Sequence, residues 1–301
     1  MQKDIPVLTV SGRSLAEAYE NALRALYRHG VSIPTQYDKP GDPPSLDSTM
    51  NITILEPGSD PMIHKAFPGG IEDLKEYSME LRGLKDHWVK NMNDPADTRW
   101  EYTYHGRLSA YGIWRELLQG ESQEKGFFRI NQIEVITDKL ARQPFTRQAQ
   151  MITWMPHLDN HCFDPPCLQS LWYRILEDEE GIWWLNCNVR FRSNDAWGAS
   201  FMNMFGFIQF NQSLIADAVG RKAGKKVLLG RMNWHADSYH IYGKDIASAR
   251  RMLFDRADSI PFSSRTWNFS DTFIRELFDE AEAGILEKIK EYDRSHGSGP
   301  V

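Results

Sequence analysis

Asp164-Pro165-Pro166-Cys167-Leu168 places a cysteine directly after two prolines and at the mouth of an apolar stretch. Proline fixes the approach of the chain, so this thiol is expected at a rigid strand entrance. Beside cationic side chains its pKa falls and it becomes a usable nucleophile. Without them it is a buried structural thiol, the commoner state of an isolated cysteine. Arg190-Phe191-Arg192-Ser193-Asn194-Asp195 ends an alternating segment, with Arg190 and Arg192 on one face and the Ser193 hydroxyl at the tip. A planar bidentate donor with a short hydroxyl beside it suits a phosphate, and a solvated sheet face is the plain alternative. Thr146-Arg147-Gln148, after Pro144, brings another arginine to a strand start. His240 and Tyr242 alternate, which suits hydrogen bonds to a sugar hydroxyl.

His157, His161, Cys162 and Cys167 form a competing set of four possible zinc ligands. Their spacing matches no common structural zinc pattern, and the Asp and Pro residues between them prevent a ligating helix, so no metal is expected. A Walker loop, a glycine-rich dinucleotide turn and a G-x-S-x-G elbow are all missing.

The elements that must position these residues belong to a chain of 301 residues with 41% apolar composition and 36 aromatics, 10 Trp, 11 Tyr and 15 Phe, enough to close a large core and exclude disorder as the main state. The formal charge of −6 offers no field for non-specific nucleic-acid binding. No run reaches the roughly 18 apolar residues of a membrane span, and the start, MQKDIPVLTVSGRS, has no apolar leader core. Three cysteines cannot all pair within one chain. A cytoplasmic protein with free thiols is expected.

Ser14 and Glu17 have capping-box spacing before Leu15, Tyr19, Ala22 and Leu26, which predicts a helix from Ser14 to about Arg28. Residues 31–70, rich in proline, read as loops around one short strand, Asn51–Leu55. A helix is expected from Ile71 past Leu81, with Glu76 and Glu80 on neighbouring turns, and another from Ile130 to Ala141. Residues 149–154 read as a strand. Trp183–Arg192 alternates cleanly and should form a hairpin with Leu171–Leu176 across EDEEG. A long apolar helix over Ala199–Val219, an amphipathic helix from Ser270 to about Tyr292 and a mobile tail, SHGSGPV, complete the chain. No regular βαβ period and no linker is visible. The expected fold class is α+β, a single domain over 1–301 with one large mixed sheet flanked by helices.

Taken together, YTYHGRL (102–108), TRQAQMITW (146–154), DPPCLQS (164–170), FRSNDAWGASFMN (191–203) and HIYGKD (240–245) resemble the thymidylate synthase family, especially its archaeal-type branch. The likeness covers about residues 75–245; residues 1–70 and 246–301 are divergent. It implies the thymidylate synthase fold and a homodimer. It makes Cys167 the nucleophile that adds to C6 of the pyrimidine, Arg192 and Ser193 phosphate binders, and Arg147 an arginine reaching the partner's phosphate, with Gln148 beside it. Asn203 becomes the reader of O4 and N3 of uracil, and His240 and Tyr242 the pair on the 3′-hydroxyl. Asp195 and Gly198 would contact the folate. Glu80 would organise proton transfer at O4, and Tyr104 would stand near the nucleophile. The implied co-substrate is methylene-tetrahydrofolate, with no metal. The chemistry is coherent, because C5 of uracil becomes nucleophilic only after a thiolate adds at C6, and the oxyanion developing at O4 needs donors already in place.

The sequence departs from the common bacterial pattern. Gln148 stands where a second arginine is usual, and Leu168 follows the nucleophile where histidine is common. The tryptophan pair over the folate has no clear counterpart, with Trp88 or Trp100 as substitutes. A charged helix replaces the C-terminal lid, and Arg13 is the candidate for the N-terminal phosphate arginine. Water reaching an exocyclic methylene on C5 would give a hydroxymethyl product. Conversion of dUMP to dTMP is therefore the first reading. A 5-hydroxymethylase acting on dUMP, or less readily on dCMP or CMP, is the alternative, and an inactive nucleotide-binding homologue is the third.

Overall fold

The computed structural model describes residues 3–90, 97–114 and 127–296. Strand β1 (Val7–Gly12) enters helix α1 (Leu15–His29), where the Ser14 hydroxyl accepts from the Glu17 amide. Leu15, Tyr19, Ala22 and Leu26 are fully buried, as their spacing requires.

Residues 31–70 hold more than the expected single strand. They form β2 (Val31–Ile33), β3 (Ser45–Ile54) and β4 (Ile63–His64). Along β3, Ser48, Met50, Ile52 and Ile54 are buried while Thr49, Asn51 and Thr53 are half-buried. The buried set begins with serines, so the apolar alternation shows only in its second half and the flanking prolines read as loop.

Helix α2 (Ile71–Glu80) ends one residue short of Leu81, leaving Glu80 as its last residue. Helix α3 (Tyr104–Ser109), capped by the Thr103 hydroxyl, is too short to show a period. Strands β5 (Tyr111–Trp114) and β6 (Phe127–Ile130) pair antiparallel. Helix α4 (Gln132–Arg142) therefore starts later than expected, since Ile130 belongs to β6 and Asn131 caps the helix. Strand β7 (Ala149–Ile152) and helix α5 (Pro156–Asp159) follow. The expected hairpin is present and longer, as β8 (Leu168–Glu177) and β9 (Trp183–Asp195). The Asp178 carboxylate closes its turn by accepting the Glu180 and Ile182 amides.

The long apolar helix is continuous but not uniform: α6 (Ser200–Phe210), a π-helical stretch over Asn211–Ala216, then α7 (Asp217–Ala223), stopped by Gly224 at φ +64°. Beyond it lie β10 (Val227–Ile241), α8 (Ile246–Ala249), β11 (Thr266–Trp267) and α9 (Thr272–His296). Helix α9 runs four residues past Tyr292, so Ser295 and His296 are helical rather than part of a tail; residues 297–301 lie outside the described set.

One mixed sheet of seven strands, ordered β1-β3-β10-β9-β8-β7 with β2 also on β3, organises the fold, as the expected class requires. Strands β9 and β10 run parallel, and β8 returns antiparallel to β9. Aromatics of α6 pack on the buried face, where Phe191 stacks on Trp234 with centroids 4.6 Å apart and Phe207 lies across both. The register decides what meets: Asp195 pairs with His240 and Ser193 with Ser238, while Leu168 faces Phe191. The start of β8 and the ends of β9 and β10 thus converge at one end of the sheet.

Candidate active site

Cys167 precedes β8, half-buried with a free thiol, and its carbonyl accepts the Arg192 amide at 2.8 Å. The Arg192 guanidinium binds the chain just before it, with Nε donating to Pro166 O at 3.1 Å and Nη2 to Pro165 O at 2.5 Å. Two prolines leave these carbonyls without neighbouring amide donors on the same turn, and the arginine satisfies them. Burial pushes the Cys167 thiol above its ordinary value; the Arg192 charge opposes this and Asp164 adds to it. The expected lowering of this pKa by cationic neighbours is therefore not met in the unliganded chain: one arginine does not outweigh desolvation.

Tyr104, the first residue of α3, is half-buried at the same place. Its hydroxyl accepts the Leu168 amide at 3.4 Å, and its ring meets Phe191 edge-on. Helix α3 is pinned to α5 and the end of β7 by Arg107, which donates to both Asp159 carboxylate oxygens at 3.1 and 2.7 Å and to Thr153 O at 3.1 Å.

Asn203, on the first turn of α6, is buried within a continuous hydrogen-bonded row. Trp234 Nε1 donates to Asn194 Oδ1, Asn194 Nδ2 donates to Asn203 Oδ1, each at 3.0 Å, and Asn203 Nδ2 donates to the Tyr77 hydroxyl at 2.8 Å. Tyr77 reaches α6 because Gly206 is bare. A Cβ there would lie 2.5 Å from the tyrosine ring.

Glu80 lines a cavity of about 380 Å³ with Arg99, Trp100, Glu101, Tyr102, Thr103, Tyr104 and Asp164. Burial raises its carboxyl above the usual range, and the buried Lys85, donating to it at 3.2 Å and to Glu76 at 2.6 Å, opposes the rise.

Asp195 Oδ1 accepts the amides of Trp197 and Gly198 at 3.0 and 2.9 Å. Gly198 also lines a second cavity, about 160 Å³, with Phe67, Pro68, Gly69, Asp73, Trp197, Phe201 and Met202. His240 is buried, with Nδ1 3.2 Å from the Ser238 hydroxyl and Nε2 without a partner among the described residues. Tyr242 lies just past the end of β10, its ring 4.7 Å from that of His240. Burial, followed by Asp195, Tyr37, Cys167 and Asp164, pushes its hydroxyl to about 12.

Other expected residues lie elsewhere or alone. Ser193 is half-buried beside Ser238. Arg147 and Gln148 are exposed where β7, an edge strand, begins. Arg13 is exposed before α1 and donates to Asp60 O at 3.1 Å. Trp100 faces the Glu80 cavity, but Trp88 is sequestered: its Nε1 donates to Asp293 at 2.8 Å and its ring packs 4.2 Å from Tyr292 of α9. Among the described residues, no group of three or more His, Cys, Asp or Glu side chains could hold a metal ion, and no helix is long and apolar enough to cross a membrane.

Sequence reasoning missed Tyr77, Lys85, Asn194 and Trp234. Tyr77 has the helical spacing of a core residue and Trp234 looks like any buried aromatic, so neither is marked. Lys85 alone carried a signal, a cation set between two acidic helix turns and two tryptophans.

A thymidylate synthase family model matches residues 73–282. A protein described as "Putative thymidylate synthase" from Methanocaldococcus jannaschii is 27% identical over 244 residues, covering 78% of this chain and 91% of its own. One with the same description from Methanosarcina barkeri is 25% identical over 236 residues, covering 78% and 90%. In fold, the chain is similar to the thermostable thymidylate synthase A of Bacillus subtilis, with a TM-score of 0.55 and 17% identity over 79% of this chain and 83% of that one.

Proposed function

The chain belongs to the thymidylate synthase family, and we propose that it transfers a one-carbon unit from methylene-tetrahydrofolate to C5 of dUMP, giving dTMP, through a covalent bond from Cys167 to C6. The reading rests above all on the join between β8 and β9, where Arg192 holds the Pro165 and Pro166 carbonyls and the Cys167 backbone together.

Each residue then has a task. The thiol starts protonated, because burial raises its pKa. A dianionic phosphate on the nucleotide does not help to ionise it, so the Arg192 charge carries that part, and loss of the thiol proton is a step the site must drive. After sulfur adds to C6, negative charge develops at O4. Asn203 holds its N–H groups in a buried, preorganised row and donates there without reorganisation. Glu80, at the cavity wall and raised by burial, is better suited than an ordinary carboxylate to take up and pass on a proton. His240, with a buried Nε2 that has no partner among the described residues, suits a sugar hydroxyl, because a buried polar atom left unpaired is costly.

Methylene-tetrahydrofolate would supply the carbon at the oxidation level of formaldehyde and, for the methyl product, the hydride that reduces it, leaving as dihydrofolate; for a hydroxymethyl product water adds instead and tetrahydrofolate leaves unchanged. The residues present fit a flat, hydrogen-bonding ring: Gly198 leaves open the space beside Asp195, where a Cβ would come within 2.5 Å of the carboxylate. The aromatic side chains of Phe67, Trp197 and Phe201 line the adjoining cavity.

A 5-hydroxymethylated product is the second reading. It is favoured by Trp88, whose burial under α9 removes one of the two tryptophans that could shield the reacting carbon from water. The exposed Arg147 at the start of β7 is suited to reach a second copy's phosphate.

Incubation with 5-tritiated dUMP and methylene-tetrahydrofolate tests the reaction. Tritium release that disappears in Cys167→Ala is expected; absence of release from the wild type overturns it. Product mass separates methyl from hydroxymethyl in the same tube. Mixing inactive Cys167→Ala with inactive Arg147→Ala tests the shared phosphate site: recovered activity is expected, and none if Arg147 serves its own chain.

A further inference from the structure

We propose that Lys85 is a positioning residue for the reaction proposed above: its ammonium, packed beside two touching indole rings, orients the Glu80 carboxylate at the cavity and favours its charged form.

The geometry is unusual for a lysine. Lys85 is 6% exposed, although lysine is almost never fully buried without a partner. Its Nζ donates to Glu76 at 2.6 Å and Glu80 at 3.2 Å, and lies 5.3 Å from the centroids of both Trp88 and Trp100. A cation beside two indoles is attracted by their π-systems, more so where it is desolvated. The rings are themselves fixed. Trp88 and Trp100 meet edge-on at 5.3 Å, and α9 closes the outer side with Tyr292 and Asp293. The ammonium therefore has little freedom to leave Glu80.

Glu80 sits among acidic groups. The charged and titratable groups around it are Glu76 and Tyr77 on its own helix, Lys85 and Asp86 in the following loop, and Arg99, Glu101, Tyr102, Tyr104 and Asp164 around the cavity. Burial, Glu76 and Asp86 all favour its neutral form, and Lys85 is the cation that opposes them. Asp86 is engaged elsewhere, accepting from Thr103 at 2.5 Å and paired with His105 at 2.6 Å. Lys85 divides its donors between two carboxylates, so Glu76 competes with Glu80 for it. Removing Lys85 must raise the Glu80 pKa, whereas neutralising Glu76 must lower it. The first shift is the one that reports on Lys85, because Glu76 also repels Glu80 directly; a merely structural lysine would leave the Glu80 midpoint in place.

The test reads Glu80 directly. With 13Cδ-labelled glutamate, the resonance missing from Glu80→Gln identifies Glu80, and it is titrated in the unliganded protein. Lys85→Met is expected to raise its midpoint by about 1–3 pH units, the range for loss of an opposite charge at this distance. Lys85→Arg should return it toward wild type, and Glu76→Gln should move it downward. A midpoint in Lys85→Met that is unchanged or lowered overturns the proposal. If Lys85→Met does not fold, Lys85→Gln takes its place, with the same rise expected and an unchanged midpoint overturning it. Because no turnover enters this reading, absence of tritium release from the wild type would defeat the proposed reaction and leave the Lys85–Glu80 coupling standing.

Discussion

The Asn203 side chain donates to the Tyr77 hydroxyl across 2.8 Å and so ties the first turn of α6 to α2. The bond fixes which edge of the amide can face a base. Its oxygen already accepts from Asn194, leaving an N–H as the group for a pyrimidine O4. Asn203→Asp keeps the Asn194 contact and can accept from Tyr77, but replaces that donor with an acceptor. Turnover of dUMP should fall by about 10²–10³, the cost of one donor to a developing oxyanion. Activity on dCMP, whose C4 amino group is a donor, should rise relative to dUMP. Steady-state rates on the two nucleotides check this, and unchanged dUMP turnover would remove Asn203 from base reading.

Cys167 gives a second prediction through its protonation state. Burial raises the thiol and Arg192 restrains the rise, so little thiolate exists near neutral pH. Alkylation of Cys167 by iodoacetamide should be slower at pH 7 than that of a free thiol and accelerate as pH increases. In Arg192→Gln the midpoint should move further up. Mass-resolved alkylation across pH 6–10 measures it. A midpoint below the free-thiol value of about 8.5 would show that cationic neighbours outweigh burial after all.

The same two residues show how far sequence carries. Cys167 and Arg192 were legible because chemistry restricts residue type at those places, and β9 was legible because Trp183, Leu185, Cys187, Val189 and Phe191 alternate without interruption. Strand β3 was only half legible, since its buried face begins with Ser45 and Ser48, polar residues that only tertiary pairing buries. Tyr77 and Lys85 were not read as site residues at all. Their roles come from a contact 126 residues away for Tyr77 with Asn203, and for Lys85 from two indole rings packed beside its ammonium. Local spacing does not encode the first meeting, and for Lys85 it shows the acids and tryptophans nearby but not that they converge on one ammonium. The thiol's upward shift was missed for a related reason: sequence counts charges near a residue but does not measure its desolvation.

Gly198 supports a third prediction. A Cβ at this position would lie 2.5 Å from Asp195 Oδ2, so Gly198→Ala must push the carboxylate aside or break its bonds to the Trp197 and Gly198 amides. The loop's backbone is not in the left-handed region, and alanine carries no conformational penalty there. The expected result is therefore specific: a raised KM for methylene-tetrahydrofolate, dUMP affinity near wild type and a melting temperature lowered only slightly by the disturbed Asp195 hydrogen bonds. Weakened dUMP binding of equal size would mean that Gly198 shapes the whole site rather than the folate side.

Away from the site, Glu20 joins α1 to β4 and β11 in a buried ionic cluster. Arg265 Nη2 and Nε donate to its two oxygens at 2.7 and 3.0 Å, and His64 Nε2 lies 3.0 Å away. The Ala66 amide donates to His64 Nδ1, so the imidazole can donate to Glu20 from Nε2 while neutral. Burial alone would raise the Glu20 carboxyl, but the His64 and Arg265 hydrogen bonds more than offset it and the net shift is downward. A depressed carboxyl contributes stability that is complete above its unfolded pKa of about 4.3 and is lost as pH falls through the folded value. Arg265→Met keeps the aliphatic stem but leaves the carboxylate without its main partner. Removing one member of a buried pair costs about 3–5 kcal/mol, and the acid-side loss of stability should begin at a higher pH than in the wild type. Urea unfolding at pH 7 and pH 4 checks both statements. A loss below about 1 kcal/mol at pH 7 would place this cluster among ion pairs that solvent screens, and would show that apolar packing, not Glu20, holds β11 against β4.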